Sequence, residues 1–264
     1  MKPNHIFNFF LFLAIPFVNL AQSKTLYASF SYIKINPGKQ ATYLNLINTV
    51  SPKITAARIS IGGGVLGWYM YQVSVPSGAS NTYDMVSITV VDDFKLLFDE
   101  LAPPDNVMNK IFPGASEQTI AGIFEQWEAA RYTVKKEIYT ISSNLAPGGP
   151  SSRYAVVDYV RVPDGKSAEY LRNENFDSFF RDLIKSKTIS NRMLYKRNIP
   201  IEAADFISIC QTDNISNLAE SPGDKAVASM EAAKVKIQPI GKVAHREIWE
   251  LVQYVDEGSI KNGK

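Results

Sequence analysis

The amino-acid sequence predicts an α+β protein built from two copies of one unit, each with the element order βαββαβ. Three observations predict this fold class: an internal repeat, a hydrophobic pattern that gives the same order of elements in both copies, and a linker between them. The linker is the segment SSNLAPGGPSS at 142–152, whose proline, glycine and serine content is typical of a mobile connection. We place the first unit at residues 24–145 and the second at residues 146–254.

The repeat is clearest where each unit begins. The segment YASFSYIKINPGKQATYL, which starts at Tyr27, corresponds to YAVVDYVRVPDGKSAEYL, which starts at Tyr154, at an ungapped offset of 127 positions (154 − 27). The identical positions include Tyr27, Ala28, Tyr32, Gly38, Lys39, Tyr43 and Leu44. Asp84 and Ser87 then reappear as Asp205 and Ser208 at an offset of 121 (205 − 84), and Glu137 reappears as Glu247 at 110 (247 − 137). The falling offset places deletions in the loops and helices of the second unit.

The hydrophobic period gives the elements in order. Each unit opens with an aromatic and β-branched strand (27–35, 154–162), a turn rich in proline and glycine (36–38, 163–165) and a helical pattern (39–58, 166–184). Two strands follow in each unit, at 65–75 and 83–91 in the first and at 190–198 and 205–212 in the second. A helical segment (117–130, 224–235) and a closing strand (132–141, 243–252) complete each unit.

The two ends of the chain have a different character. Lys2 precedes an apolar run over 6–18, and Ala21, Gln22 and Ser23 follow it, which is the pattern of a secretory signal peptide. The run is shorter than the roughly 20 apolar residues that cross a bilayer. We therefore expect residues 1–23 to be removed and the mature protein to be periplasmic or secreted, with no membrane attachment. Residues 255–264 are expected to form a flexible tail.

The element order of each unit is that of a ferredoxin-like fold, an antiparallel four-stranded sheet with helices on one face. Apolar residues occur at both parities in the strands, as Tyr32 and Ile33 illustrate, so both sheet faces are expected to be buried. In this respect the whole mature chain resembles the dimeric α/β barrel superfamily, whose units pair through their sheets. The resemblance implies two ferredoxin-like units packed sheet to sheet as an intramolecular dimeric α/β barrel, and hence a monomer with an internal pseudo-two-fold axis.

Composition and motifs exclude several classes of function. The formal charge of +2 comes from nearly balanced acidic and basic residues, so no nucleic-acid partner is expected. The single cysteine, Cys210, lies in the apolar run 206–210 and is expected to be buried. Gly62, Gly64 and Gly67 match G-x-G-x-x-G, but a helix precedes them and a strand follows, which is the reverse of a dinucleotide site. We interpret them as a helix C-cap and loop.

Histidine limits metal and cofactor chemistry. His5 leaves with the signal peptide, so His245 alone remains and a site of several histidines is excluded. Haem-binding members of the resembled superfamily use a histidine together with asparagine and tryptophan, and Trp68 could supply the tryptophan. His245, however, lies in the last strand of the other unit, at the position that matches Lys135. We therefore expect no metal and no cofactor. His245 is either an ordinary surface or partly buried residue, or a proximal ligand or general base.

The candidate ligand site is an aromatic constellation in the first unit. Tyr32, Trp68 and Tyr69, with Arg131 or Glu137 as the polar contact, are predicted to line a pocket between the sheet and its helices for a small aromatic or lipophilic ligand. The longer segment at 103–114 is predicted to cover this pocket as a lid. The aromatic residues, together with Tyr71, Tyr159 and Tyr195, are equally explained as the ordinary core of a barrel.

Charged residues leave two interpretations open. The recurrence of Asp84 as Asp205 and of Glu137 as Glu247 indicates retained caps, turns and ion pairs at equivalent places. The alternative is that Glu137 or Glu247 is a general base in a pocket. Asp158 interrupts an apolar strand where the first unit has Ser31, so it needs a partner such as an arginine. The basic residues Arg192, Lys196 and Arg197 mark either an anion site or a solvated strand face.

Two classes of function remain. The absence of a catalytic motif favours an exported small-molecule-binding or interaction module. The resemblance to dimeric α/β barrel proteins implies the alternative, a cofactor-independent enzyme of the monooxygenase or isomerase kind, for which a shaped pocket and one or two polar groups suffice.

Overall fold

The structure is a computed structural model that describes residues 24–62, 64–75, 82–98, 108, 110–146, 151–172, 174–198, 204–214, 216 and 241–261. The signal peptide predicted at 1–23, the helix predicted at 224–235 and half of the lid predicted at 103–114 lie outside these residues. The strands are β1 Tyr27–Ile35, β2 Val65–Val75, β3 Met85–Val91, β4 Arg131–Asn144, β5 Tyr154–Arg161, β6 Asn191–Arg197, β7 Phe206–Thr212 and β8 Lys242–Asp256. The helices are α1 Gln40–Thr49, α2 Ser51–Ser60, α3 Glu117–Ala130, α4 Ser167–Leu171, α5 Glu174–Lys185 and α6 Glu257–Lys261, with a 3-10 turn at Phe94–Leu97.

The eight strands form one closed barrel in the order β1-β3-β2-β8-β5-β7-β6-β4. The α+β prediction with antiparallel strands is confirmed, because every strand pair in the barrel is antiparallel. Strands β1 to β4 form one half and strands β5 to β8 the other, and within each half the order is fourth, first, third, second. The expected sheet-to-sheet packing takes the form of edge pairing. Strand β2 bonds to β8 and β4 bonds to β6, so the face of each half-sheet that carries no helices turns into the barrel interior.

The two halves also share their strand register. Ser31 is opposite Ser87 in the first half, and Asp158 is opposite Ser208 in the second. Likewise Tyr32 is opposite Lys135, and Tyr159 is opposite His245. Residues that correspond in the sequence repeat therefore occupy corresponding places in the barrel.

Apolar side chains form two kinds of core because successive strand residues point to opposite faces. The barrel interior holds a dense aromatic cluster whose most deeply buried aromatic members are Phe30, Tyr32, Tyr71, Tyr139, Tyr159, Tyr195 and Trp249. A second cluster in the first half includes Tyr43, Ile47, Trp68, Met70 and Met85, and residues of α1, α2 and α3 pack onto it. In the second half, Phe180 of α5 packs with Ile189 and Cys210. The predicted burial of Cys210 is confirmed, and burial raises the pKa of its thiol to about 12, so it is a small apolar residue and not a nucleophile.

The glycine pattern is a helix end, as predicted. Helix α2 ends at Ser60, and the amide of Gly62, at a φ of 70°, donates to the carbonyl of Ile59. Gly64 has a φ of 77°, and a Cβ there would lie 2.6 Å from the Asp92 carboxylate, so this position also requires glycine. Strand β2 follows directly, in the order helix, turn, strand.

The recurring aspartates Asp84 and Asp205 are structural. Asp84 Oδ2 accepts from the amide of Ile35 at 2.8 Å, and Asp205 Oδ2 accepts from the amide of Val162 at 2.7 Å. In each half the carboxylate thus binds the backbone where the first strand ends. The interpretation of this pair as retained turn contacts is confirmed.

The C-terminal end is more ordered than the sequence predicts. Strand β8 continues to Asp256, past the predicted end at Val252, and α6 follows where a flexible tail is expected from residue 255. Val255 is buried and Ile260 packs against the cluster that contains Trp68. Pairing of β8 with β2 extends the strand, because Gly67 and Trp68 lie opposite Asp256 and Val255. In the described part of the chain no helix is long and apolar enough to span a membrane.

Asp84→Ala is expected to lower the free energy of unfolding by about 1–2 kcal/mol, because it removes a charge-assisted acceptor from the Ile35 amide and from Lys34. Asp182→Ala is the matched control, since Asp182 is 69% exposed and pairs only with the exposed Lys185. It should change the free energy by less than about 0.5 kcal/mol. Urea denaturation of both variants tests the difference, and equal effects would contradict the structural role of Asp84.

Candidate functional site

The five residues predicted to line a ligand site lie on two faces of the barrel wall. Tyr32, Tyr69 and Glu137 belong to the interior, where Tyr69 packs against the aromatic cluster and Glu137 accepts a hydrogen bond from Tyr139. Trp68 lies on the helix side. Arg131, at the start of β4, donates to Thr133 and lies beside Tyr43 of the helix-side cluster. The five therefore do not line one pocket, since Trp68 and Tyr69 are neighbours on a strand and face opposite sides.

Two glutamates at matching positions organise the polar part of the barrel interior. Glu247 is 4% exposed and accepts from Tyr83 Oη at 2.6 Å, from Trp249 Nε1 at 2.8 Å and from Tyr159 Oη at 3.3 Å. The hydroxyls of Tyr32 and Tyr159, which correspond in the repeat, lie 3.4 Å apart across the barrel. Glu247 therefore accepts from three neutral donors, and one of them, Tyr83, belongs to the first half.

Glu137 is held by charged donors. Arg197 Nη2 donates to Glu137 Oε1 at 2.5 Å, Tyr139 Oη donates to Oε2 at 2.8 Å, and Lys135 Nζ lies 3.5 Å from Oε1. Arg197 belongs to the second half, so each glutamate is bound by a residue of the opposite half. The ion-pair interpretation of the recurring glutamates is confirmed for Glu137.

The interior tyrosines are hydrogen-bond donors at neutral pH. Burial is the largest cause that raises the pKa of Tyr32, Tyr83 and Tyr159 above that of an ordinary phenol, and the nearby carboxylates add to it. Each hydroxyl thus keeps its proton and serves the glutamate network. The network is packed and internally bonded, which favours a structural role over a binding pocket.

His245 stacks on the ring of Tyr159 with the centroids 3.8 Å apart. Its pKa is lowered, first by burial and then by Lys135 and Arg161, against the opposing effect of Glu247 and Glu137. Among the described residues no three His, Cys, Asp or Glu side chains come together in a way that would hold a metal ion. The geometry therefore places His245 in an aromatic stack.

A cleft of about 340 Å³ lies outside the barrel, over the second half. It is bounded by β4, β6, α4 and α5, and it is lined by Ser142, Ser143, Tyr170, Leu171, Asp177, Arg192 and Leu194. The sequence places the pocket between sheet and helices of the first half. The cleft lies between sheet and helices, but β6, α4 and α5 of the second half border it together with β4 of the first half.

Arg192 is the central polar residue of this cleft. It is 1% exposed, and its Nη1 donates to Asp177 Oδ1 at 2.9 Å while its Nε donates to Ser208 Oγ at 3.3 Å. The guanidinium carbon lies 4.3 Å from the centroid of the Phe180 ring. Burial raises the pKa of Tyr170, and the adjacent Arg192 opposes that shift, so Tyr170 presents a neutral hydroxyl. The cleft therefore combines a fixed cation, a carboxylate, a phenol and two leucines.

The charge on Asp158 is explained by a second ion pair on the same sheet face. Arg246 Nε donates to Asp158 Oδ1 at 2.5 Å, which confirms the predicted arginine partner. In the first half the corresponding positions are Ser31 and Lys136, and Lys136 Nζ donates to the carbonyl of Leu97. At these two positions the second half therefore has an ion pair where the first half has a serine and a lysine.

Sequence reasoning missed Asp177 and Tyr170 as site residues and misplaced the basic residues of β6. Arg192 and Arg197 do not form a solvated face: Arg192 is buried on the helix side and Arg197 inside the barrel, with its side chain 6% exposed. Their odd spacing of five positions was the available signal, because strand residues an odd number apart point to opposite faces. The contact between Asp177 and Arg192 carries no such signal, since it depends on where α5 packs.

His245→Gln is expected to reduce the pH dependence of stability between about pH 7.5 and pH 5.5. Because burial lowers the folded-state pKa of His245, the unfolded chain takes up a proton that the folded chain does not. The stabilisation is complete above the unfolded pKa of about 6.5 and is lost as the pH falls through the folded pKa. Urea midpoints of residues 24–264 across this range test it, and an identical pH profile in the variant would contradict the assignment.

Comparison with known proteins shows where the same fold occurs. No protein-family model matches the sequence, and no curated protein matches it significantly. Among solved structures, a candidate monooxygenase from Lactobacillus acidophilus NCFM aligns with a TM-score of 0.54 and 10% identity over 89% of this chain and 97% of that one. A candidate monooxygenase from Fusobacterium nucleatum subsp. nucleatum aligns with a TM-score of 0.53 and 11% identity over 90% and 96%. At such low identity these likenesses show a shared fold over nearly the whole length of each protein.

Proposed function

We propose that the protein is a small-molecule enzyme of the cofactor-independent monooxygenase or isomerase kind, with its site in the cleft over the second half. One observation carries the proposal: the buried guanidinium of Arg192 lines a cleft of about 340 Å³ beside the half-exposed carboxylate of Asp177. The likeness in fold to two candidate monooxygenases supports the enzyme class.

The cleft has the groups for proton abstraction next to an oxygen-bearing carbon. Asp177, with 38% of its side chain exposed, takes a proton from a substrate hydroxyl or from a carbon next to a carbonyl. The electron pair then moves onto the substrate oxygen, and Arg192 stabilises that negative charge because a guanidinium stays protonated and the site is shielded from water. Tyr170 donates a further hydrogen bond. Return of the proton to another atom completes an isomerisation. In the monooxygenase outcome the substrate carbanion forms a C–O bond to dioxygen and takes back the proton as a hydroperoxide. Loss of water from the hydroperoxide leaves a carbonyl, so one oxygen atom enters the product, the other leaves as water, and the substrate itself supplies the two electrons.

The walls of the cleft define the kind of ligand. Leu171 and Leu194 cover apolar surface, while Ser142 and Ser143 offer hydroxyls on the opposite strand. A planar molecule with one polar edge fits this arrangement better than a highly charged one, because the charge of Arg192 is already balanced by Asp177. The expected ligand remains a small aromatic or lipophilic molecule.

A binding module without turnover is the second candidate function. The observation that favours it is the same ion pair: Asp177 bonded to Arg192 at 2.9 Å is also what a purely structural pair looks like. In that case the cleft holds its ligand and no product forms.

Export and assembly belong to the proposal. We propose that residues 1–23 direct the chain out of the cytoplasm and are cleaved, so that the mature protein is periplasmic or secreted. We also propose that the two halves are fused ferredoxin-like units that close the barrel within one chain, supported by their equal strand order and register. Such a chain needs no second copy to cover its sheet edges.

Asp177→Asn is expected to lower turnover by about 10²-fold or more, because the amide cannot accept the substrate proton. Asp182→Asn on the same helix is the matched control, since Asp182 is exposed and pairs with Lys185. Substrates are first found by mass spectrometry of small hydroxy-aromatic and 1,3-dicarbonyl compounds incubated with the protein in air. Equal turnover by wild type and Asp177→Asn would contradict the catalytic role, and binding without any product would favour the binding module.

Light scattering of residues 24–264 at micromolar concentration is expected to give the mass of one chain. The reason is that each edge strand of one half is already paired with an edge strand of the other, β2 with β8 and β4 with β6. A stable dimer of intact chains would contradict this assembly. N-terminal sequencing of protein secreted by its host tests the cleavage near Ser23.

A further inference from the structure

Trp68 and Arg192 occupy the same place in the two halves. In the first half Met70 is opposite Ser87, and in the second half Leu194 is opposite Ser208, so residues 68 and 192 hold one register position. Both are helix-side residues, and both donate to the matching serine. Trp68 Nε1 donates to Ser87 Oγ at 2.9 Å, and Arg192 Nε donates to Ser208 Oγ at 3.3 Å.

The two side chains have opposite effects on the space above the sheet. Trp68 is 8% exposed and fills its half with a broad ring that packs in the cluster of Tyr43, Met70 and Met85. Arg192 is narrow and reaches past its serine to Asp177 on α5, and the cleft opens along it. The matching serines Ser87 and Ser208 therefore bind different side chains: the first half has one that fills the space above the sheet, and the second half has one beside a polar cleft.

The arginine is the more costly choice at this position. A buried guanidinium loses its hydration, and the carboxylate of Asp177, the hydroxyl of Ser208 and the ring of Phe180 compensate part of that loss. An indole at the same register meets its single hydrogen-bond requirement with one serine and buries a large apolar surface. The second half thus has a side chain with a large desolvation cost at a position where the first half has one with a small desolvation cost.

We propose that the residue at this register position decides ligand access in each half: Arg192 keeps the cleft of the second half open and selects ligands with a polar edge, and Trp68 closes the first half. The inference rests on the proposed small-molecule site. It assigns Arg192 as the residue that determines specificity and Ser208 as the residue that positions it, and one ligand is bound per chain.

The first experiment measures stoichiometry and specificity on residues 24–264 by calorimetric titration. The probes are 1-naphthol, naphthalene and 1-naphthoate, which share one ring system and differ in the polar edge. Wild type is expected to bind one 1-naphthol per chain and to prefer it to naphthalene. Arg192→Trp, which installs the residue of the first half, is expected to weaken 1-naphthol binding at least about tenfold, or about 1.4 kcal/mol. Arg153→Trp is the control, because the Arg153 side chain is 64% exposed and pairs with Glu250.

Arg192→Leu keeps the inference testable if the tryptophan variant does not fold. It removes the charge without filling the cleft, so it is expected to bind naphthalene and to lose the preference for 1-naphthol. Ser208→Ala and Ser87→Ala form a second matched pair. Each removes one hydrogen bond to the residue above it, and only Ser208→Ala is expected to weaken 1-naphthol binding, because Ser87 holds Trp68.

Trp68→Ala tests the first half directly. Removing the indole leaves an apolar cavity, and such cavities bind apolar molecules of matching size. This variant is expected to bind one additional naphthalene per chain while its binding of 1-naphthol in the second half is unchanged.

The outcomes separate the two proposals. If wild type binds none of the three probes and no compound is turned over, the proposed site is wrong. If wild type binds 1-naphthol at two sites per chain, or if folded Arg192→Trp and Arg192→Leu bind it as wild type does, the site stands and the role of position 192 is overturned. Circular dichroism and urea unfolding of each variant establish that it is folded.

Discussion

Closure of the barrel by strand edges is the constraint on which the rest of this structure depends. Two four-stranded half-sheets share their hydrogen bonds along β2–β8 and β4–β6, so every described strand has a neighbour on both sides. Closure turns one face of each half-sheet inward and leaves the other to the helices. The two glutamates reinforce it from inside, because Tyr83 of the first half binds Glu247 and Arg197 of the second half binds Glu137. Loss of either donor would leave a buried carboxylate short of a partner from the opposite half.

The described part of the barrel interior is filled by aromatic side chains. Phe30, Tyr139, Tyr195 and Trp249 are each at most 1% exposed and form edge-on or tilted ring pairs through the centre. Rings packed in this way stabilise the folded barrel, because they bury large apolar areas and contact one another closely. The polar groups among these rings form hydrogen bonds with one another. The cleft of about 340 Å³ lies on the other side of the barrel wall, between the sheet and the helices.

The two halves share their strand order and register but differ in the side chains on the helix side of the sheet. Register and strand order are the same in both halves, and the serine pair Ser87 and Ser208 even preserves a hydrogen bond. The charged pairs that Arg192 and Asp158 form occur on the second half, where the first half has Trp68 and Ser31. The shared strand order and register give two equivalent positions on the helix side. Different side chains at a few of these positions distinguish the two halves, while the strand pairing of the barrel stays the same.

The sequence by itself determined the order of the strands, the burial of Cys210, the turn-binding aspartates and an arginine partner for Asp158. These follow from local pattern, or from the cost of a lone charge in an apolar strand, and both act wherever the strand lies. Tertiary structure alone decided which face of each strand is the barrel interior. Both faces of the strands carry apolar residues, so the sequence pattern does not distinguish the interior face from the helix-covered face. Tertiary structure therefore separated Tyr32, Tyr69 and Glu137 from Trp68 and Arg131, continued β8 past the predicted tail along β2, and brought Asp177 to Arg192. Those contacts join elements whose packing depends on the closed barrel, and no local sequence pattern encodes that packing.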